Sequence, residues 1–147
     1  MKKFLTCILC LGMIVMMVTA FVSCKKEAEV DDLWQNAKYT KDTQLGKGDT
    51  TVTVDLVTED KTITFTIHTD KDTLGEALID HKLISGEKGP YGMYVKKVNG
   101  IEADYDKTKT YWGFNKNGES MLNGVDSEKI SHGDKYEIVY TAEKNAK

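Results

Sequence analysis

The sequence predicts a two-layer α+β domain, because two kinds of hydrophobic pattern follow one another along the chain. Two segments of alternating apolar residues come first, one segment with helical spacing follows, and three short strand-like segments fill the C-terminal half. Alternation indicates half-buried strands, and one amphipathic helix can cover one face of the sheet that they form. We therefore expect a mostly antiparallel sheet with a single helix packed on it.

The first two strands are predicted at Thr51–Val57 and Lys61–Thr69, on either side of a turn at Glu59-Asp60. In both segments every second residue is apolar and most of the others are threonines, as expected for strands with one face in the core. The short connection between them predicts an antiparallel hairpin. The residues expected to face the core are Val52, Val54, Leu56, Ile63, Phe65 and Ile67.

The helix is predicted to begin at Thr73, because Thr73 and Glu76 have the spacing of a capping box. In a capping box each side chain accepts a hydrogen bond from a backbone N–H at the start of the helix. The segment Ser85–Gly92 contains three glycines and the single proline of the chain, and it predicts a loop. The apolar stripe of the helix is expected at Leu74, Ala77 and Leu78.

The last three strands are predicted at Met93–Val98, Tyr111–Asn115 and Tyr136–Thr141. The dipeptides Asn99-Gly100 and Asn117-Gly118 follow the first two of these strands, and Asn-Gly favours tight hairpin turns because both residues adopt positive φ. The resulting order β-β-α-β-β-β matches a ubiquitin-like β-grasp.

The N-terminus has the parts of a secretory signal. Lys2 and Lys3 precede an almost wholly apolar stretch, Phe4–Val22, and Ser23 stands before Cys24. A small residue followed directly by cysteine resembles the bacterial lipobox, in which the thiol is lipidated and the signal is then removed. The stretch is also long enough for an uncleaved transmembrane helix, but charged residues begin immediately after Cys24. We expect cleavage before Cys24 and a lipid anchor on its thiol, with the protein held on the extracytoplasmic side of the cell membrane.

The domain organisation follows from these patterns. We expect a signal peptide at residues 1–23, a lipidated cysteine and flexible tether at 24–50, a folded domain at 51–141 and a tail at 142–147. The tether is rich in Lys, Glu, Asp, Thr and Gly, a composition that favours an extended linker. Its Trp34 either docks on the domain or stays loose.

The charge balance argues against a nucleic-acid partner. The chain has 23 acidic residues, 20 basic residues and a formal charge of −3, and all of the basic residues are lysines. Arginine is the usual bidentate ligand for phosphates and base edges. Cys7 and Cys10 lie in the signal peptide, so we expect no disulfide in the folded domain.

Catalytic and metal-binding motifs are not found in the sequence. His68, His81 and His132 have no helical i, i+4 pairing, and no G-x-S-x-G motif occurs. Asp104 and Asp106 lie two residues apart, but the segment lacks the glycine and glutamate of an EF-hand loop. We therefore expect a protein that is not an enzyme and that has neither catalytic nor metal-ligand residues.

Aromatic residues are concentrated in the second half of the chain. One interpretation places Trp112 in the core, as is usual for large apolar side chains. The other is that Tyr91, Tyr94, Tyr111 and Trp112 form an exposed surface for a flat ligand.

Several short motifs, in this order and spacing, resemble the transcobalamin-like C-terminal domain family over about Thr51 to Thr141. They are Thr73–Leu78 (TLGEAL), Tyr91–Gly100 (YGMYVKKVNG), Tyr111–Phe114 (YWGF), Asn117-Gly118, Gly124-Val125 and Gly133-Asp134. In the vertebrate vitamin B12 carriers such a domain closes over one side of the corrinoid, while a larger helical domain holds the other. The resemblance implies a β-grasp-like fold and a cobalamin-like ligand, with ligand-facing positions at Tyr91, Tyr94, Trp112, Leu122 and Asn123.

Two functions from different classes follow. The first is a small binding module for a corrinoid or another flat ligand, and the second is a module that docks another extracytoplasmic protein through the same surface or an open strand edge. A concave pocket beside Trp112 would favour the ligand, whereas a flat exposed patch would favour the protein partner.

The anchor can be tested by the change Cys24→Ser. Without the thiol no lipid can be attached, so we expect an unlipidated precursor or protein shed from the membrane. Membrane fractionation gives the location of the protein, and mass spectrometry shows whether the signal has been removed and the lipid attached. Membrane-bound protein at the full precursor mass would instead establish the uncleaved helix.

Overall fold

The structure, a computed structural model, describes residues 32–144, and residues 33–144 belong to one compact unit. The described part contains nine strands and two short helices. The strands are β1 Thr43–Gly46, β2 Thr50–Val57, β3 Thr62–Thr69, β4 Ile84–Gly89, β5 Gly92–Val98, β6 Ile101–Glu102, β7 Thr110–Lys116, β8 Glu119–Ser120 and β9 Lys135–Ala142. The helices are α1 Leu74–Asp80 and α2 Tyr105–Thr108.

The strands form two sheets. One is a curled, mixed sheet of six strands in the order β1-β3-β2-β9-β7-β8, and the other has three strands in the order β4-β5-β6. Strands take up about 48% of the described residues and helices about 10%, so the domain is mostly β. The prediction of an α+β domain with a ubiquitin-like β-grasp and one helix is therefore wrong.

The error has a local cause in the segment predicted as a loop. Ser85–Gly92 mostly forms β4, which pairs antiparallel with β5, and the register shifts between Ser85 and Gly86. A Cβ at Gly86 would lie 2.0 Å from the Tyr94 carbonyl oxygen, so only glycine allows the two strands to approach this closely. Gly86 therefore marks a bulge within a strand pair and not a loop. Because this segment is a strand, it forms the second sheet with β5 and β6.

The first hairpin is confirmed. β2 and β3 pair antiparallel, with Val54 opposite Phe65, and all six predicted inward residues are buried. β2 also pairs in parallel with β9, where Leu56 lies opposite Ile138. β2 is thus a central strand of the larger sheet, and the core forms around it.

The Thr73 half of the predicted capping box of α1 is also confirmed. The Thr73 hydroxyl accepts a hydrogen bond from the Glu76 N–H at 3.3 Å, and Leu74, Ala77 and Leu78 are fully buried. The helix ends at Asp80 after only seven residues. It covers a small part of the sheet, which is a second reason why the domain is not a full two-layer α+β fold.

The folded domain extends on the N-terminal side of the predicted start at Thr51. β1 pairs in parallel with β3, and the Trp34 indole N–H donates to the Thr58 hydroxyl at 3.1 Å. Trp34 therefore docks on the domain. The predicted signal peptide and Cys24 lie outside the described residues. Within residues 32–144, no helix is long and apolar enough to cross a membrane.

Asn99 fixes this N-terminal segment to the smaller sheet. Its side chain is fully buried, accepts a hydrogen bond from the Tyr39 N–H at 2.9 Å and donates to the Tyr39 carbonyl at 2.8 Å. Its own carbonyl accepts from the Lys38 N–H at 2.8 Å. The Asn-Gly turn that the sequence predicts after β5 is thus also a docking point.

We expect Asn99→Ala to be more destabilising than Asn117→Ala by about 2 kcal/mol, because it leaves the two main-chain groups of Tyr39 without partners. The two asparagines are matched, since each has positive φ (53° and 49°) and stands first in an Asn-Gly turn, but Asn117 is exposed. Urea unfolding of both variants measures the difference. Equal losses of stability would show that the two hydrogen bonds to Tyr39 contribute no more than the single bond that the Asn117 side chain accepts from the Lys135 N–H.

Candidate functional site

One concave surface lies between the β4–β5 hairpin, α2 and β7. An open cleft of about 600 Å³, called the first cleft, separates them. This volume is within the range of small-molecule sites. Its lining residues are Glu87, Tyr94, Lys96, Tyr105, Asp106, Tyr111 and Trp112.

Trp112 forms the common wall of two clefts. A second cleft of about 250 Å³ shares Trp112 and Tyr94 with the first and is otherwise lined by residues of β5, of β7 and of the chain from Ser120 to Val125. Trp112 is 6% exposed and packs edge-to-face on Tyr140 at a centroid distance of 5.1 Å. It is therefore a core residue, as one of the two interpretations predicts, and it also lines both clefts.

The Trp112 indole N–H is buried and has no hydrogen-bond partner among residues 32–144. A buried donor without a partner is uncommon, because its desolvation is not compensated.

Three tyrosines supply the remaining aromatic surface of the first cleft. Tyr94, Tyr105 and Tyr111 are 46%, 39% and 41% exposed. Tyr105 and Tyr111 pack edge-to-face at 6.5 Å, and the Tyr105 hydroxyl donates to Glu143 Oε2 at 2.6 Å. This hydrogen bond to a carboxylate raises the pKa of Tyr105. The bond also fixes the Tyr105 ring at the cleft wall.

The polar residues of the first cleft give it a negative balance. Lys96 Nζ lies 2.9 Å from Glu87 Oε1, and this hydrogen bond together with the fields of Glu87, Asp104 and Asp106 raises the pKa of Lys96. The side chain of Asp104 caps α2 and accepts from the backbone N–H of Lys107, which lowers the pKa of Asp104. Lys96 is thus neutralised by Glu87, while Asp106 adds a further negative charge.

The structure brings together some of the five predicted ligand-facing residues. Tyr94, Trp112 and Asn123 line the second cleft. Tyr91 and Leu122 line neither cleft and are 96% and 99% exposed, at the tip of the β4–β5 hairpin and beside Asn123. They lie at the rim, where a bound molecule could touch them only by extending beyond the clefts.

Sequence reasoning missed four residues of the first cleft, Glu87, Lys96, Tyr105 and Asp106. The sequence predicts a loop at Glu87, and the spacing of Asp104 and Asp106 indicates no more than an incomplete calcium loop. The strand pair β4–β5 places Glu87 directly opposite Tyr94, so both reach the same cleft. A correct prediction of β4 would have identified Glu87.

Asp126 joins the two walls of the second cleft and was also missed. Its Oδ2 accepts a hydrogen bond from the Met93 N–H at 2.8 Å, which connects the β4–β5 hairpin to the segment before β9. The same carboxylate packs against α1, because its Oδ1 would lie 3.0 Å from a Cβ at Gly75. The neighbouring Val125 carbonyl accepts the Gly75 N–H at 2.9 Å.

None of the three histidines, all of which lie among the described residues, lines the first or the second cleft. His68 and His81 line a separate cleft of about 290 Å³ near the end of β3, and the His68 Nδ1 lies 3.0 Å from the Thr51 hydroxyl. In the part of the chain that the structure describes, no group of three or more His, Cys, Asp or Glu side chains is placed to hold a metal ion.

Residues 71–142 match the family model described as a domain of unknown function, DUF4430. This range contains all the motifs on which the predicted transcobalamin-like resemblance rests. No curated protein matches the chain.

Two solved structures are similar to the domain. A crystal structure of a presumed metal-binding protein from Ruminococcus gnavus ATCC 29149 is 30% identical with a TM-score of 0.61, and the match covers 65% of this chain and all of that one. Haptocorrin in complex with Cbi is 18% identical with a TM-score of 0.48, over 67% of this chain and 26% of that chain. The chain thus spans the full length of the first protein and about a quarter of the second. The first comparison shows that the domain shares its fold with a bacterial protein.

We expect Asp126→Ala to loosen the wall between the hairpin and the segment before β9. The Met93 N–H loses its acceptor, so its amide should exchange faster and the free energy of unfolding should fall by about 1–2 kcal/mol. Hydrogen exchange resolved by residue measures this. Asp60→Ala in the β2–β3 turn serves as the control, and unchanged exchange at Met93 in Asp126→Ala would refute the role of the carboxylate.

Proposed function

We propose that this protein is a membrane-anchored extracytoplasmic lipoprotein that acts as a small, non-catalytic binding module. The observation that carries the proposal is the pair of concave clefts on either side of Tyr94 and Trp112. A concave surface beside Trp112 was the feature expected of a ligand-binding module, whereas a protein-docking module would present a flat patch. The anchor rests on the lipobox-like sequence before Cys24.

The aromatic lining favours a ligand with a broad apolar surface and polar edges. Tyr94 is half exposed between the two clefts, so its ring can contact a molecule that extends across both. Tyrosine and tryptophan cover apolar surface with few rotatable bonds, and their hydroxyl and indole groups can bind polar substituents. Asn123, at the rim of the second cleft, adds an amide group.

A corrinoid is the specific ligand that we propose. Its identity rests on the motif resemblance to the transcobalamin-like family, and its shape is that of an apolar plate with amide groups at the edge. The described domain contacts a plate from one side only, and much of the ligand would stay in water. We therefore expect modest affinity for this domain by itself.

The rim residues support a second candidate. Tyr91 and Leu122 are large apolar side chains with almost complete exposure, and such residues are common at protein–protein contacts. In this alternative the rim docks another extracytoplasmic protein, and the clefts hold no small molecule.

Calorimetric titration of the purified protein with cobalamin tests the first candidate. We expect saturable binding in the micromolar range, and we expect Tyr94→Leu to weaken it about tenfold, because the ring between the two clefts is lost. Tyr91→Leu is the matched control, since Tyr91 lines neither cleft, and it should change the affinity less than twofold.

Two results would contradict this proposal. Absence of binding at high micromolar cobalamin would exclude the corrinoid. Equal losses of cobalamin affinity in Tyr91→Leu and Tyr94→Leu would show that the contact lies at the rim and not in the clefts, and would favour the docking function.

A further inference from the structure

We infer that the first cleft binds the positively charged group of an organic cation. This inference rests on the proposed small-ligand function, and it adds that the ligand carries a positive charge. Its basis is the combination of four aromatic side chains with an excess of negative charge in one open cleft of about 600 Å³. The aromatic side chains are Tyr94, Tyr105, Tyr111 and Trp112.

The aromatic walls can hold a cation by the attraction between a positive charge and the electron-rich ring face. This attraction is significant when the charge lies within about 6 Å of a ring centroid, and several rings around one cation form an aromatic cage. Lys109 Nζ already lies 4.6 Å from the Tyr105 ring centroid, whereas among the described residues no lysine lies over the rings of Tyr94 and Tyr111, which remain available to a ligand. The cage residue Tyr105 is also held in place by its hydrogen bond to Glu143.

The charges in the cleft favour the same class of ligand. Lys96 is neutralised by Glu87, to which it is hydrogen-bonded at 2.9 Å. Among the described residues, the Asp106 carboxylate has no hydrogen-bond or ion-pair partner, so it remains available to a ligand. An anionic ligand would be repelled by Asp106, whereas a cation would be attracted by it.

The lining of the first cleft suits an organic cation better than a metal ion. A metal ion requires several converging donor atoms, and no such group of His, Cys, Asp or Glu is found among residues 32–144. A quaternary ammonium group, in contrast, needs no hydrogen-bond donor or acceptor. It needs apolar contact with ring faces and a nearby carboxylate, and the first cleft supplies both.

Choline and its neutral carbon isostere 3,3-dimethyl-1-butanol are suitable probes, because they have the same shape and differ in charge. Titration of the purified protein at constant ionic strength, followed by NMR shifts of the tyrosine rings, gives the two affinities. We expect choline to bind at least about fivefold more tightly than the isostere. Equal affinities, or no saturation by choline at tens of millimolar, would overturn the inference.

Three variants locate the effect. Asp106→Asn should weaken choline about threefold to tenfold and leave the isostere unchanged, while Asp60→Asn, which removes the same charge outside the clefts, should change neither. Tyr111→Leu should weaken choline by removing one ring. A choline affinity unaffected by both Asp106→Asn and Tyr111→Leu would place the cation elsewhere and refute the assignment.

These titrations fail independently of the corrinoid proposal. If choline binds and cobalamin does not, the cation site stands and the corrinoid is excluded. If cobalamin binds and the protein has equal affinities for choline and its isostere, the cleft recognises shape and the charge assignment is wrong.

Discussion

The parallel pairing of β2 with β9 is the constraint on which the rest of the structure depends. It places Val54 opposite Tyr136 and Leu56 opposite Ile138, near the two ends of the folded chain, and all four side chains are fully or almost fully buried. Because β9 also pairs with β7, this contact joins the N-terminal hairpin to the aromatic half of the domain. Trp112 lies opposite Tyr140 in the β7–β9 pair, so β9 connects the wall between the two clefts to the central strand β2.

The segment between β8 and β9 is long and is held both by the buried side chain of Val125 and by polar contacts. Lys116 Nζ lies 2.7 Å from Glu128 and 2.9 Å from Asp134, and the hydrogen bond to Glu128 is the main cause of a raised pKa of Lys116. Asp126 then connects the segment to the β4–β5 hairpin through Met93. The second cleft is therefore built on a polar framework, whereas the wall at Trp112 belongs to the hydrophobic core.

The surface around Trp112 combines a contribution to stability with a contribution to ligand recognition. Trp112 is buried enough to stabilise the core, and its buried indole N–H has no partner. The surrounding tyrosines are half exposed, and their rings remain accessible. Stability and recognition thus use adjacent residues of β7, since Tyr111 and Trp112 point to opposite sides of the same strand.

The sequence by itself determined the elements whose signals are local. Alternation along Thr51–Val57 fixed the buried face of β2, the pair Thr73 and Glu76 fixed the start of α1, and Asn-Gly fixed the turns at residues 99 and 117. Each of these signals depends on neighbours a few residues away, so it can be recognised without the fold.

Tertiary structure decided the arrangement of the sheets and the composition of the clefts. The glycines at 86 and 89 indicate a loop by their intrinsic preference, and only contact with β5 makes them part of a strand. In the same way, Glu87 and Asp106 meet across one cleft although 19 positions separate them in the sequence. The aromatic residues of the site were recognisable by their enrichment, but the carboxylates beside them lie on a hairpin and on a short helix that come together only in the folded domain.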